Sequence, residues 1–390
     1  MNIHIDAAYK SLNKYGEQLC GDKVDIVRTA NSTIIVLADG LGSGVKANIL
    51  STLTSRIIST MLVEGATVEQ AVETIVSTLP VCNVRKMAYS TFSILHISND
   101  GQGYLVEFDN PFCIFIRDGE ILKLPYEYKE YAGKGVYETK FTVMPGDVLA
   151  MISDGVVYAG VGATLNFGWT WESVAAWLAN SASEGLSAPR LALSLSQAVN
   201  ELYMDKPGDD ATVTIARIAT KTAVNILTGP PKDRDKDHEM VRDFMRSPGS
   251  KAICGGTSAN IVSRELHREI KTSLKYTDPT LPPTASIHGI DLVTEGVLTL
   301  SRTVEILEKY QDTDSDLYYF RNLDKDNGAS KLAKLLLEDC THLRLFIGTA
   351  INPAHQNPNL PSDLSIKQKL IDQLIEQVEK MGKKVERTYY

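Results

Sequence analysis

Aspartate at the end of an apolar strand is costly to bury unless a cation or a hydrogen bond answers its charge. Three segments have that form: Ile35-Val36-Leu37-Ala38-Asp39-Gly40, Leu149-Ala150-Met151-Ile152-Ser153-Asp154-Gly155 and Gly208-Asp209-Asp210-Ala211-Thr212-Val213. If these ends meet in space, their oxygens suit hard ions such as Mg2+ or Mn2+ rather than thiophilic Zn2+. The glycines after Asp39 and Asp154 allow sharp turns and the close approach of a carbonyl or a ligand. Taken singly, Asp-Gly after a strand reads more readily as a plain turn, so three such ends do not by themselves make a metal site. Asp118-Gly119 has the form of a hairpin turn.

The elements that must carry these residues are strand-rich in the first half. Apolar β-prone runs cover 32–38, 90–97, 103–108, 112–117, 147–152 and 211–218, and helical periodicity covers 45–64, 68–79, 171–180 and 188–203. After a polar junction at 220–223 the rhythm changes to alternating strand and helix. Strands are expected at 224–228, 252–254, 290–294, 343–348 and 385–389, with helices near 237–245, 259–270, 298–310, 329–339 and 365–381. Such alternation predicts a parallel sheet covered by helices. The chain therefore reads as two domains, 1–219 and 220–390.

Taken together, Cys20-Gly21-Asp22, Ala38-Asp39-Gly40-Leu41-Gly42-Ser43-Gly44, Ile152-Ser153-Asp154-Gly155 and Gly208-Asp209-Asp210-Ala211-Thr212 resemble the ordered motifs of the metal-dependent PPM (PP2C-type) protein phosphatases. They are most similar to the bacterial SpoIIE-like branch. Asn110-Pro111-Phe112 and Pro145-Gly146-Asp147 fit as intermediate segments, and the resemblance spans about residues 1–218. It implies an α+β first domain, a PP2C-like β-sandwich of two antiparallel sheets flanked by helices. Two divalent cations, Mn2+ or Mg2+, would sit at one end between the sheets. Matched by position, Asp39 would bridge both ions and the Gly40 carbonyl would bind one. Asp154 and Asp209 would bind the other, and Asp22 and Asp210 would act from behind, through bound water. The activity implied is direct hydrolysis of phosphoserine or phosphothreonine by activated water. The substrate would be a bacterial regulatory phosphoprotein, of the anti-sigma antagonist type.

Two departures stand out. Leu41 occupies the place where many eukaryotic relatives have a proton-donating histidine. Where those relatives hold phosphate with an N-terminal arginine, the Lys and Arg residues upstream of Asp22 are Lys10 and Lys14 alone. Gly42-Ser43-Gly44 reads as a loop that caps the following helix, although a phosphate-cradling turn has the same composition. His4 and His96 lie in apolar alternation, and Trp169, Trp171 and Trp177 border a helix, so all five read as structural.

The second half carries no resemblance. It reads as an α/β Rossmann-like domain whose strand ends run into Thr228-Gly229-Pro230-Pro231, Cys254-Gly255-Gly256-Thr257-Ser258, Thr294-Glu295-Gly296 and Gly348-Thr349. Ligands of open α/β sheets sit beyond such ends. Gly255, Gly256, Thr257 and Ser258, placed before a helix expected from Ala259, form a candidate site for a small anionic ligand, with turn-making as the plainer reading. Neither GxGxxG nor GxxxxGK[ST] is present, so no cofactor is named. Cys254 reads as a buried thiol rather than a reactive one.

Composition narrows the rest. A formal charge of −8 argues against a general nucleic-acid or anionic-membrane surface. Five scattered cysteines without CxxC or Cys/His clustering support neither a zinc site nor a disulfide framework. The opening MNIHIDAAYK lacks the layout of a secretory signal, and no apolar run reaches the roughly 20 residues of a membrane helix. A cytoplasmic protein is expected. The rival reading is a catalytically inactive phosphatase-like scaffold or ligand-sensing regulator, which would have no need of clustered acids.

Overall fold

The computed structural model describes residues 3–78, 90–131, 133–183, 185–272, 280–310, 320, 323–350 and 366–390. The chain divides into two compact units, Met1–Thr220 and Lys221–Tyr390.

Unit 1 contains two antiparallel sheets. The first has the order β1 (Ile3–Leu12), β11 (Ala211–Thr220), β10 (Val148–Ile152), β6 (Ile114–Arg117) and β7 (Glu120–Leu122). The second runs β2 (Asp22–Arg28), β3 (Ser32–Gly40), β4 (Ser90–Ser98), β5 (Gln102–Phe108), β9 (Lys134–Thr142) and β8 (Glu127–Tyr131).

Side chains alternate across a strand, so each sheet feeds two cores. Ile35, Leu37, Leu95, Leu105, Phe115, Leu149, Met151 and Ile218 meet between the sheets. Ile34, Val36, Ala38, Phe92 and Ile94 face the opposite way, onto α1 (Gly44–Val63) and α2 (Val68–Thr78) through Ile58, Val72 and Ile75. Ala150, Ile152, Val213 and Ile215 face α4 (Trp171–Ala182) and α5 (Ala188–Leu202) through Leu178, Leu191 and Leu195. The result is four layers, helix, sheet, sheet, helix, as expected of the sandwich. A one-turn α3 (Asp154–Val157) follows β10 directly.

The two-residue connection Asp118-Gly119 makes the expected hairpin, both residues at positive φ (52° and 79°) between β6 and β7. Trp169, Trp171 and Trp177 lie against the core under α4 and α5. Asp147 is buried and structural: it takes two hydrogen bonds from the Arg117 guanidinium, at 2.8 and 2.7 Å, and one from the Met144 amide. Strands β1, β2, β7, β8 and β9 went unread in sequence. In β1 and β8 most positions are only half-buried or exposed, which leaves little apolar alternation to see.

Unit 2 is a mixed sheet. Five parallel strands have the order β16 (Leu292–Thr294), β13 (Ser250–Cys254), β12 (Ala223–Thr228), β17 (His342–Ile347) and β18 (Lys384–Tyr389). Two short strands, β14 (Lys271–Thr272) and β15 (Ala285–Ser286), add to the β16 edge in antiparallel sense. They correct the expectation of a wholly parallel sheet; at two residues each they are too short to leave a periodic signal.

Leu227, Ile253, Val293 and Phe346 pack on one face against α6 (Asp237–Arg246) and α7 (Gly256–Leu266). Their neighbours Ile226, Ala252, Leu292 and Leu345 are buried on the other face. Helices α8 (Val297–Tyr310), α9 (Gly328–Glu338) and α10 (Ile366–Lys380) contribute their own buried rows. Helix α7 starts three residues before the expected Ala259 and ends at His267, which takes a left-handed conformation (φ 52°, ψ 45°). Among the described residues no helix is long and apolar enough to cross a membrane.

Candidate functional site

The alternation that fills the inter-sheet core also aims the acids. In β3 the inward series Ile35, Leu37 continues to Asp39, and in β2 the inward Val24 continues back to Asp22. Asp22 and Asp39 are direct partners in the β2–β3 register. On the opposite sheet, Ser153 and Thr212 tie the end of β10 to the start of β11. The Ser153 amide donates to the Thr212 carbonyl at 3.0 Å, and the Thr212 amide donates to the Ser153 hydroxyl at 2.8 Å. Asp154 follows the first of these residues, and Asp209-Asp210 precede the second.

Two glycines bring the loops together. A Cβ on Gly155 would lie 2.1 Å from the Asp210 carbonyl oxygen, so only glycine lets the Asp154 loop close on the Asp209-Asp210 loop. A Cβ on Gly40 would lie 2.1 Å from the Ala47 carbonyl, so the first turns of α1 can press against the end of β3. The Tyr203 hydroxyl donates to the Gly155 carbonyl at 2.7 Å and fixes the floor.

The electrostatics are those of crowded like charges. Burial, with the Asp22, Asp154 and Asp209 charges, holds Asp39 well above the usual carboxylate range. Burial pushes Asp22 up to about 7; the Ser153 and Thr212 hydroxyls act against that shift, and the Asp210 and Asp154 charges reinforce it. Asp154 and Asp210 are raised as well, each mainly by burial and secondarily by Asp209 or other neighbours.

The arrangement thus gathers Asp22, Asp39, Asp154, Asp209 and Asp210 at one end of the inter-sheet space. Among the described residues no three His, Cys, Asp or Glu side chains already stand close enough to grip one ion. The donor set nevertheless fits a hard cation. Both carboxylate oxygens of Asp22 and one of Asp210 are buried with no hydrogen-bond partner among the described residues, a costly state that a cation or its bound water would relieve.

Two residues at the site carried little signal in sequence. Lys14 sets its ammonium 3.6 Å from an Asp209 oxygen, and its amide donates to Asp210 at 3.0 Å. It lies just past β1, whose Leu12 pairs with Ala211, so recognising β1 would have found it. Thr212 faces inward between Ser153 and the Ser11 hydroxyl, 2.8 Å away. Ser43 corrects the capping expectation: it stands at the N-cap of α1, but its hydroxyl donates to Glu17 at 3.1 Å and makes no cap bond. Gly255 to Ser258 belong to unit 2, and Gly256, Thr257 and Ser258 are the first turn of α7 rather than a loop before it. Cys254 is buried, and burial pushes its thiol up to about 11, in keeping with the structural reading.

Residues 29–219 match the family model of stage II sporulation protein E (SpoIIE). A comparison with curated proteins gives no match. Among solved structures, the PP2C phosphatase domain with a regulatory-domain fragment of SpoIIE from Bacillus subtilis is 21% identical, with a TM-score of 0.47. That match covers 56% of this chain and 64% of that one, so this chain spans under two thirds of it. The SpoIIE phosphatase domain from Bacillus subtilis without domain swapping is 21% identical (57% and 95% covered, TM-score 0.43). RsbX in complex with magnesium is 23% identical (55% and 96% covered, TM-score 0.41). Residues 29–219 of this chain are a PP2C-type phosphatase domain of the SpoIIE family.

Proposed function

We propose that unit 1 hydrolyses phosphoserine or phosphothreonine on a regulatory protein and depends on Mn2+ or Mg2+. The observation that carries this reading is the convergence of five aspartates with orphaned, buried carboxylate oxygens on Asp22 and Asp210. A phosphomonoester dianion cannot approach such a cluster against its charge, so the cluster is useful toward phosphate only once cations fill it. Two bound divalent cations would supply an activated water and neutralise charge on the phosphoryl oxygens.

The chain's own part is to hold and orient. Asp39, the Gly40 carbonyl, Asp154 and Asp209 are the ligands in this reading; Asp22 and Asp210 accept hydrogen bonds from ordered water behind them. The Gly155–Asp210 contact keeps the two loops at fixed spacing, and the Ser153–Thr212 hydrogen bonds hold the ends of β10 and β11 together beside Asp22. A protein substrate is favoured by the exposed apolar stripe Val45, Ile49, Leu53 and Ile57 along α1, which begins just beyond Gly40. An anti-sigma antagonist-type phosphoprotein in the cytoplasm suits the family. Unit 2 serves in this reading as a Rossmann-like sensor or docking module.

Titration calorimetry of the full chain with Mn2+, paired with hydrolysis of p-nitrophenyl phosphate, tests the proposal. Saturable Mn2+ binding and EDTA-sensitive turnover are expected. A chain that takes up no Mn2+ is instead the inactive scaffold.

A further inference from the structure

The parallel strands of unit 2 run β16-β13-β12-β17-β18, so the chain starts at β12, winds one way to β16 and returns to wind the other way. Beyond the C-terminal ends of strands in such an order lies the crevice where open α/β sheets take ligands. The backbone there is shaped by glycine. A Cβ on Gly348, after β17, would lie 2.2 Å from Pro230, and the Gly348 amide donates to the Thr228 carbonyl at 2.9 Å. On the next strand, Gly255 holds φ 128° and starts α7 with no side-chain cap.

Several groups at this edge lack partners. The amides of Gly256, Thr257 and Ser258 belong to the first turn of α7, whose N–H groups have no partner within the helix. The Ser258 hydroxyl is buried, at 1% residue exposure, and has no hydrogen-bond partner among the described residues. It is aimed at the N-cap: a Cβ on Gly255 would meet the Ser258 Oγ at 3.4 Å. Among the described residues a Cβ on Gly256 would meet nothing within 4 Å, so the first turn of α7 is uncrowded there.

Lys367, in the first turn of α10, brings its ammonium to the same edge; a Cβ on Gly229 would lie 1.7 Å from its Nζ. It interacts electrostatically with Cys254, the last residue of β13. Burial pulls Lys367 down to about 8. Glu295, whose charge reaches Cys254, is turned to the N-terminus of α8, where it accepts from the Leu298 amide at 3.2 Å.

We propose that the α7 N-terminus, the Ser258 hydroxyl and Lys367 form an oxyanion site that takes the phosphate group of a small phosphorylated ligand. Three amides and a hydroxyl supply donors to oxygens in several directions, and the ammonium supplies the charge that amides alone lack. The site lies wholly within unit 2 and is independent of the aspartate cluster.

The test is calorimetry at pH 7 with inorganic pyrophosphate, and inorganic phosphate in parallel, on the full chain carrying Asp39→Asn in EDTA. Metal and the unit 1 site then contribute nothing, and failure of the phosphatase reading leaves the result untouched. Saturable binding is expected, weakened about tenfold or more by Lys367→Gln, the value of a charge-assisted hydrogen bond. Ser258→Ala, which adds no bulk, is expected to weaken it about threefold to tenfold even if Lys367→Gln disturbs folding. Absence of saturable pyrophosphate binding overturns the proposal, as does an affinity that neither variant moves.

Discussion

The two units present opposite chemistry at corresponding places, the ends of their strands. In unit 1 the strand ends carry five acids, Asp22, Asp39, Asp154, Asp209 and Asp210; burial and the neighbouring carboxylate charges raise Asp22, Asp39, Asp154 and Asp210. In unit 2 the strand ends carry bare amides, hydroxyls and Lys367, mostly donors. On the readings proposed above, the first arrangement takes a cation and the second an anion. One chain thus shows that a strand end is a neutral platform: the residues just past it, and how many of one sign converge, decide which ligand it wants.

The largest expected effect falls on the acidic end. Asp39→Asn removes a charge at the centre of the cluster and should lower metal-dependent hydrolysis of p-nitrophenyl phosphate at least about a hundredfold, the scale of losing an activated nucleophile. Full activity of that variant would remove Asp39 from the chemistry.

A second contrast concerns protons. Glu107 is buried between the sheets, accepts from the Cys113 amide at 2.7 Å, and is pushed by burial up to about 8 from 4.5. The folded chain therefore keeps a proton that the unfolded chain loses, and stability falls as pH rises from about 4.5 to about 8. Glu107→Gln should remove its share of that slope, leaving the share of Asp22 and the other raised aspartates, and stabilise the chain by about 2 kcal/mol or more at pH 8, as read by urea denaturation across pH. An unchanged slope would mean that Glu107 ionises freely in the fold.

Glycine substitutions sharpen the comparison of the loops themselves. Gly155→Ala meets the Asp210 carbonyl at 2.1 Å and should cost about 1–3 kcal/mol while loosening Mn2+ binding. Gly256→Ala meets nothing within 4 Å inside a helix and should be neutral or stabilising by up to about 1 kcal/mol. Thermal melts of the two variants, moving in the same direction by the same amount, would contradict the close approach of the acidic loops.

The smallest effect concerns Lys14. Its exposed ion pair with Asp209 competes weakly with a cation, so Lys14→Gln should tighten Mn2+ binding about twofold to fivefold, an amount that falls with added salt. Weaker binding in that variant would instead assign Lys14 a supporting role.

The sequence by itself determined the acids and the strands beside Asp39, Asp154 and Asp209-Asp210, though not the β2 strand that aims Asp22. The inward series Ile35, Leu37, Asp39 follows from a period of two that neither loops nor partners can alter. The Asp118-Gly119 hairpin was equally legible, because its conformational demand is local. What only the tertiary structure decided was everything that depends on a second segment. The facing of Asp22 and Asp39 is a matter of register; the closing of the Asp154 loop depends on the Asp210 carbonyl lying over Gly155. The place of Lys14 depends on a strand with too little apolar alternation to read. In unit 2 the start of α7 at Gly256 and the arrival of Lys367 from more than a hundred residues downstream were invisible for the same reason. Local periodicity fixes which way a side chain points, whereas what it meets is set by chain segments that no local pattern connects.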